Sequence, residues 1–167
     1  MELGTQVSIE YMIMIPILIL QIFLFPLVAS SIMNSWADSR QTIALQEAAS
    51  HLSSSVQQLY SSLNHDSMST GNVTNMLDLP RFIENYPYEG TAILRETSSG
   101  GSTVLEITLS YIGNGISTTT TASFGNNTQW QDSTFVSNST STGIMGEKYW
   151  NTTMGMYMIK LSFTGGA

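Results

Sequence analysis

Residues 11–29 read YMIMIPILILQIFLFPLVA, and this stretch decides the fold. It carries no charged side chain, and only Gln21, Pro16 and Pro26 interrupt its apolar residues. At about 1.5 Å per residue, a helix of this length nearly matches the roughly 30 Å hydrocarbon thickness of a bilayer. The sequence therefore predicts one helix that can cross a membrane, with a kink or a locally melted turn at the prolines.

A cleaved secretory signal is the alternative interpretation of the same residues. Its apolar region would span only about 7–15 residues, follow basic residues and end at a small-residue cleavage site. The flank here is Met1-Glu2-Leu3-Gly4-Thr5, which has a carboxylate and no lysine or arginine. The membrane-spanning interpretation fits these residues better.

Beyond residue 29 the apolar residues become periodic, and no glycine or proline ends the helix before residue 63. Spacings of mostly three and four are typical of an amphipathic helix. The residues concerned are Ile32, Trp36, Ile43, Leu45, Ala48, Ala49, Leu52, Val56, Leu59, Tyr60 and Leu63. We predict one helix over residues 6–63, of which residues 6–30 suit a membrane and residues 31–63 pack on a folded domain.

The rest of the chain is predicted to form a β-rich outer domain. Residues 64–90 are expected to be a connecting loop region, with a short helical turn near residues 75–84. Within residues 91–167, β-branched and aromatic runs separated by Gly, Ser and Asn indicate strands. The runs are residues 91–97, 102–111, 116–124, 133–137 and 154–163. The predicted fold class is α+β, with the long helix packed on an antiparallel β-sheet or a small β-sandwich.

Length and charge limit what the protein can be. Its 167 residues suffice for one modest domain and one long helix. It has 5 Lys and Arg against 12 Asp and Glu, a formal charge of -7, and only 10% charged residues. The basic residues form no phosphate-binding stripe, so we expect no nucleic-acid partner. They are Arg40, Arg81, Arg95, Lys148 and Lys160.

Catalytic, cofactor and metal sites find no support in the sequence. With no cysteine, the chain has neither a disulfide framework nor a thiolate site. No nucleophile is set beside a base in a recognisable motif, so we do not expect an enzyme. Glu47 and His51 share a helix face but lack a third ligand, and a helix-surface contact explains them better than a metal. His65 is expected in a solvated loop.

Four N-x-[ST] triplets outside the apolar segment are candidates for N-glycosylation. Such triplets also arise by chance in a chain rich in Ser, Thr and Asn. The acceptor residues are Asn72, Asn126, Asn138 and Asn151.

Residues 6–14, QVSIEYMIM, resemble the Q-x-S-x-E-x-x-x-L start of archaeal type IV pilin-like proteins with class III signal peptides. Gln6, Ser8 and Glu10 match, and Met14 stands at the leucine position. The resemblance covers the first thirty or so residues. It implies a structural subunit of an extracellular filament, embedded in the membrane before assembly and serving adhesion, with residues 6–30 in the filament core.

In that family a prepilin peptidase cuts before the glutamine, which implies a scissile bond between Thr5 and Gln6. Residues 1–5 would then be the remnant of a leader, although they have no basic residue and their Gly4 lies one residue too early. The implied partners are this peptidase, the pilus assembly machinery, the membrane, and further copies of the chain in a helical polymer.

Glu10 has two interpretations. An ionised carboxylate at the edge of an apolar run needs a partner, because its desolvation costs several kcal/mol. The resemblance implies that Glu10 pairs with the amino group of Gln6, in the same or a neighbouring subunit, and sets the stagger of the assembly. The alternative is that Glu10 lies among lipid headgroups, where the start of a helix favours an acid.

Two functions from different classes follow from this sequence. The first is a polymerising filament subunit. The second is a monomeric membrane-anchored binding module or a minor pilin-like protein. Both would use the same apolar helix.

Overall fold

The computed structural model describes the backbone of residues 3–96, 102–139 and 142–165, and the side chains of these ranges from residue 11 onward. Helix α1 spans Leu3–Asn64 and contains both Pro16 and Pro26. The prediction of one long helix is confirmed. Every residue of α1 is helical, so the locally melted turn expected at the prolines is not present.

The chain divides into two compact units, residues 1–40 and residues 41–167. The second unit holds the last part of α1 and eight strands, which form two four-stranded sheets. The strands are β1 (Gly71–Met76), β2 (Tyr88–Glu96), β3 (Ser102–Tyr111), β4 (Ser117–Gly125), β5 (Thr128–Trp130), β6 (Thr134–Val136), β7 (Gly143–Asn151) and β8 (Met156–Thr164). The strand orders are β1-β7-β8-β5 and β4-β3-β2-β6.

The α+β fold class is confirmed, because a long helix packs on sheets that are mainly antiparallel. One pair, β5 with β8, is parallel. Both sheets and the second half of α1 contribute to one hydrophobic core, in which Leu52, Leu105 and Leu161 are fully buried.

The predicted loop over residues 64–90 needs correction. Strand β1 lies within it and β2 begins within it, and no helical turn occurs over residues 75–84. Strand β1 pairs with β7 along its whole length, from Gly71 opposite Lys148 to Met76 opposite Gly143. The residues of β1 favour a strand only weakly, and pairing with β7 stabilises the strand.

Strand β3 follows the alternation expected of a half-buried strand. Leu105, Ile107 and Leu109 are buried, while Glu106 and Thr108 lie on the opposite, partly exposed face. The predicted strand over residues 102–111 is confirmed.

Within the second unit, α1 contacts the sheets from Gln41, whose carbonyl accepts a hydrogen bond from the Tyr111 hydroxyl at 3.1 Å. Ala44 is partly buried and Leu45 is fully buried, whereas Ile32, Trp36 and Ile43 are 54%, 73% and 61% exposed. Ile43 is therefore not part of the packed face, whereas the predicted packing of residues 31–40, which belong to the first unit, stays a prediction. Periodicity identifies an apolar helix face but does not say which surface covers it.

Tyr60 joins the helix to the sheet of β4. Its hydroxyl accepts a hydrogen bond from the Gly125 amide at 3.1 Å and donates one to Oδ1 of Asn127 at 2.9 Å. The Tyr60 ring also lies 4.9 Å from the ring of Phe124. These contacts hold the last turns of α1 against the end of β4.

Candidate assembly helix and outer-domain surface

The apolar segment of α1 is exposed along its length. Between Tyr11 and Val28, the exposed fractions of the large apolar side chains range from 48% at Val28 to 77% at Met12. The helix is long and apolar enough to cross a membrane, by length and composition. An apolar surface of this extent is unfavourable in water and marks contact with lipid or protein.

Two polar features lie inside this segment. Gln21 is the one polar side chain between Met12 and Val28. Pro26 has no backbone N–H, so the carbonyl of Ile22 has no helical donor four residues ahead of it. Pro16 leaves the carbonyl of Met12 in the same situation.

The residues expected to act in processing and assembly lie at the start of α1. The backbone of Thr5, Gln6 and Glu10 is helical. Their side chains lie outside the described part of the chain, as do residues 1 and 2. The pairing of Glu10 with Gln6 and the cleavage at Thr5–Gln6 therefore stay predictions.

The candidate glycosylation sites differ in accessibility. Asn72 is exposed on β1, which lies at the edge of its sheet. Asn126 is exposed too, but the threonine that completes its triplet, Thr128, is only 5% exposed. Oγ1 of Thr128 is buried without a hydrogen-bond partner among the described residues.

Of the other two sites, Asn138 lies in a turn and Asn151 ends β7, directly before the β7–β8 turn. Asn138 is exposed, and the threonine of its triplet at position 140 lies outside the described residues. Oδ1 of Asn151 accepts hydrogen bonds from the amides of Thr153 at 2.9 Å and Met154 at 3.2 Å. These bonds fix the Asn151 side chain within the β7–β8 turn.

Glu47 and His51 line an open groove of about 390 Å³ together with Asp78. Leu79 and the half-exposed ring of Phe82 supply apolar lining. Within the described ranges, no three His, Asp or Glu side chains are grouped in a way that could hold a metal ion. The groove is a shallow surface feature with an acidic rim.

Two buried phenols belong to the structure of the outer domain. The Tyr88 hydroxyl donates to the carbonyl of Pro80 at 2.7 Å, and the Tyr111 hydroxyl donates to that of Gln41 at 3.1 Å. Burial, together with the neighbouring Tyr111, raises the pKa of Tyr88 to about 12. Burial and then the charge of Glu84 raise the pKa of Tyr111.

Methionines at positions 154, 156 and 158 alternate along the sequence, a pattern that predicts a packing stripe on one face of a strand, and only part of the stripe is buried. Met158 is 3% exposed and Met156 is half-buried, but Met154 lies in the turn before β8 and is 62% exposed.

Sequence reasoning missed Lys148 of β7, which is only 5% exposed. Its ammonium group donates a hydrogen bond to the carbonyl of His65, the residue that follows α1. A lysine in a strand gives no sequence signal that it will meet a helix terminus.

No protein-family model matches the chain, and no curated protein or solved structure matches it either. The function is therefore argued from the residues of this chain.

Proposed function

We propose that this protein is the structural subunit of an extracellular type IV pilus-like filament, polymerising through the apolar part of α1. The observation that carries the proposal is the exposure of the apolar side chains from Tyr11 to Val28. Residues 41–167 form a compact unit with its own core. This unit therefore does not need the apolar segment in order to fold.

The same apolar segment serves two environments in turn. Before assembly, lipid surrounds the side chains that water would disfavour. In the filament, the helices of neighbouring copies replace the lipid. Repeated head-to-tail contacts between identical copies generate a helical polymer when their rotation does not close into a ring.

The N-terminal motif adds the processing step to this proposal. A prepilin peptidase would cut between Thr5 and Gln6, and the new amino group of Gln6 would pair with Glu10. Adhesion is the proposed role of the filament, and glycans on the outer domain would hydrate a surface that has few charges.

A membrane-anchored binding module is the second candidate. The groove beside Phe82, with Glu47 and Asp78 at its rim, is the observation that favours it. Such a module would keep its helix in the bilayer and would not polymerise.

Negative-stain electron microscopy of material sheared from the cell surface separates the two candidates. The filament proposal expects fibres that contain this chain as their main protein. If the chain stays in the membrane fraction and dissolves in detergent as discrete particles, the anchored module is the correct function.

A further inference from the structure

Gln21 stands alone as a polar side chain in the apolar part of α1. It is exposed, and it has no hydrogen-bond partner among the described residues of its own chain. Its amide nitrogen carries two N–H donors that no apolar neighbour can accept. An unsatisfied amide is unfavourable both in lipid and in a core of packed helices.

The complementary group lies one residue further along the helix. Because Pro26 has no N–H, the Ile22 carbonyl lacks its helical donor. Gln21, Ile22, Phe25 and Pro26 all line one open groove on the helix surface, with a volume of about 670 Å³. The segment thus carries a surplus donor and a surplus acceptor in the same groove.

One copy of the helix cannot readily join these two groups. Side chains on an α-helix lean toward its N-terminus, so the Gln21 amide extends toward the turn before it. The Ile22 carbonyl points the other way, toward position 26, as all helical carbonyls do. The donor and the acceptor therefore diverge along the axis within one chain.

We infer that the groove at Pro26 receives the helix of a second copy, whose Gln21 amide donates to the Ile22 carbonyl of the first. This contact deepens the filament function proposed above and rests on it. Copies inserted in one membrane with the same orientation are parallel. A shift of one to two turns, roughly 5–11 Å along the axis, brings the amide of one copy to the carbonyl of the next. The contact uses different groups on the two copies, so it can repeat without closing.

The test is a double-mutant cycle in the full-length chain. Gln21→Met removes the amide but keeps the length of the side chain, and Pro26→Ala restores the N–H that binds the Ile22 carbonyl. The chain has no cysteine, so Asn34→Cys provides one labelling site for energy transfer between copies in lipid vesicles. Filaments of each variant are examined by electron microscopy in parallel.

Gln21→Met is expected to weaken association of the copies about three- to tenfold in the wild-type background. In the Pro26→Ala background the same substitution should have little effect, because the carbonyl is already bonded. Pro16→Ala is the matched control and should leave the effect of Gln21→Met unchanged. Leu20→Met controls for methionine itself and should change association less than about twofold.

If Gln21→Met weakens association equally with and without Pro26, or not at all, the inferred contact is wrong. If the wild-type chain forms filaments in that same experiment, the filament function stands without the Gln21 contact. If the wild-type chain forms no filaments and its copies do not associate in vesicles, both the contact and the proposed function fail.

Discussion

The ammonium group of Lys148 donates a hydrogen bond to the carbonyl oxygen of His65 at 3.1 Å, directly after α1 ends at Asn64. The last turn of α1 contains no basic residue. Helix C-termini favour a nearby cation, because the final carbonyls carry partial negative charge. Strand β7 thus provides the cation, and the Lys148 ammonium also lies 5.3 Å from the centre of the Tyr157 ring.

We predict that the sign of the charge at position 148 controls the stability of the outer domain. Lys148→Met should lower the free energy of unfolding by about 1 kcal/mol, because the His65 carbonyl keeps its bond from the Met68 amide. Lys148→Glu should cost more than about 3 kcal/mol, since it buries an unpaired carboxylate beside a carbonyl. Urea unfolding followed by tryptophan fluorescence measures both. Equal stabilities of the two variants would contradict this role.

A second prediction concerns alkaline pH. The pKa of Tyr88 is raised from 10.0 to about 12, so the folded state favours the neutral phenol. Its contribution is complete below pH 10 and is lost as the pH rises through 12, at which point about 2 kcal/mol has gone. Unfolding free energies measured from pH 9 to pH 12 should fall accordingly.

The control for this prediction is Tyr88→Phe. It removes the hydrogen bond to Pro80 and lowers stability at neutral pH, but it should flatten the loss between pH 10 and 12. A residual slope from Tyr111 is expected, because burial raises its pKa too. An unchanged slope in Tyr88→Phe would show that Tyr88 does not titrate as described.

The third prediction ranks the glycosylation sites. A transfer enzyme that reads N-x-[ST] must reach the hydroxyl as well as the asparagine. We expect a glycan on Asn72 and none on Asn126, because the hydroxyl of Thr128 is buried. Mass spectrometry of peptides from native filaments tests this, with Thr74→Ala as the variant that abolishes the first triplet. An occupied Asn126 beside a bare Asn72 would reverse the ranking.

The fourth prediction isolates the charge of Glu10. If its carboxylate pairs with an amino group in the assembled core, Glu10→Gln should leave membrane insertion intact and reduce filament yield. Removing one partner of a buried charge pair typically costs about 3–5 kcal/mol. Glu10→Leu should insert at least as well and assemble as poorly. Wild-type yields from both variants would place Glu10 among the lipid headgroups instead.

The sequence predicted those elements whose signal is local. The apolar run and the periodic residues after it indicate α1, and the alternation of Leu105, Ile107 and Leu109 indicates β3. Strands β1, β5 and β7 lie outside the predicted runs, and β1 and β7 were missed because their signal is not local. The sequence of β1, GNVTNM, is dominated by polar residues, and it becomes a strand by pairing with β7.

Strand β7 contains Gly146, which a sequence interpretation takes as a break. In the fold this glycine allows close approach of the helix, since a Cβ there would lie 2.4 Å from Cδ1 of Leu63. The apolar segment of α1 could be predicted because composition alone identifies it. Periodicity did not indicate that Ile43 would be 61% exposed, because it does not say which positions another surface covers.

The central claim is that the apolar part of α1 drives polymerisation while the outer domain folds without it. The most direct measurement compares the full-length chain with a fragment that begins at Gln41, using sedimentation and electron microscopy. The fragment keeps the buried helix residues Leu45 to Leu63, so it should be a soluble, folded monomer that forms no fibres, whereas the full-length chain forms filaments. Native-like fibres made by the fragment alone would contradict the claim.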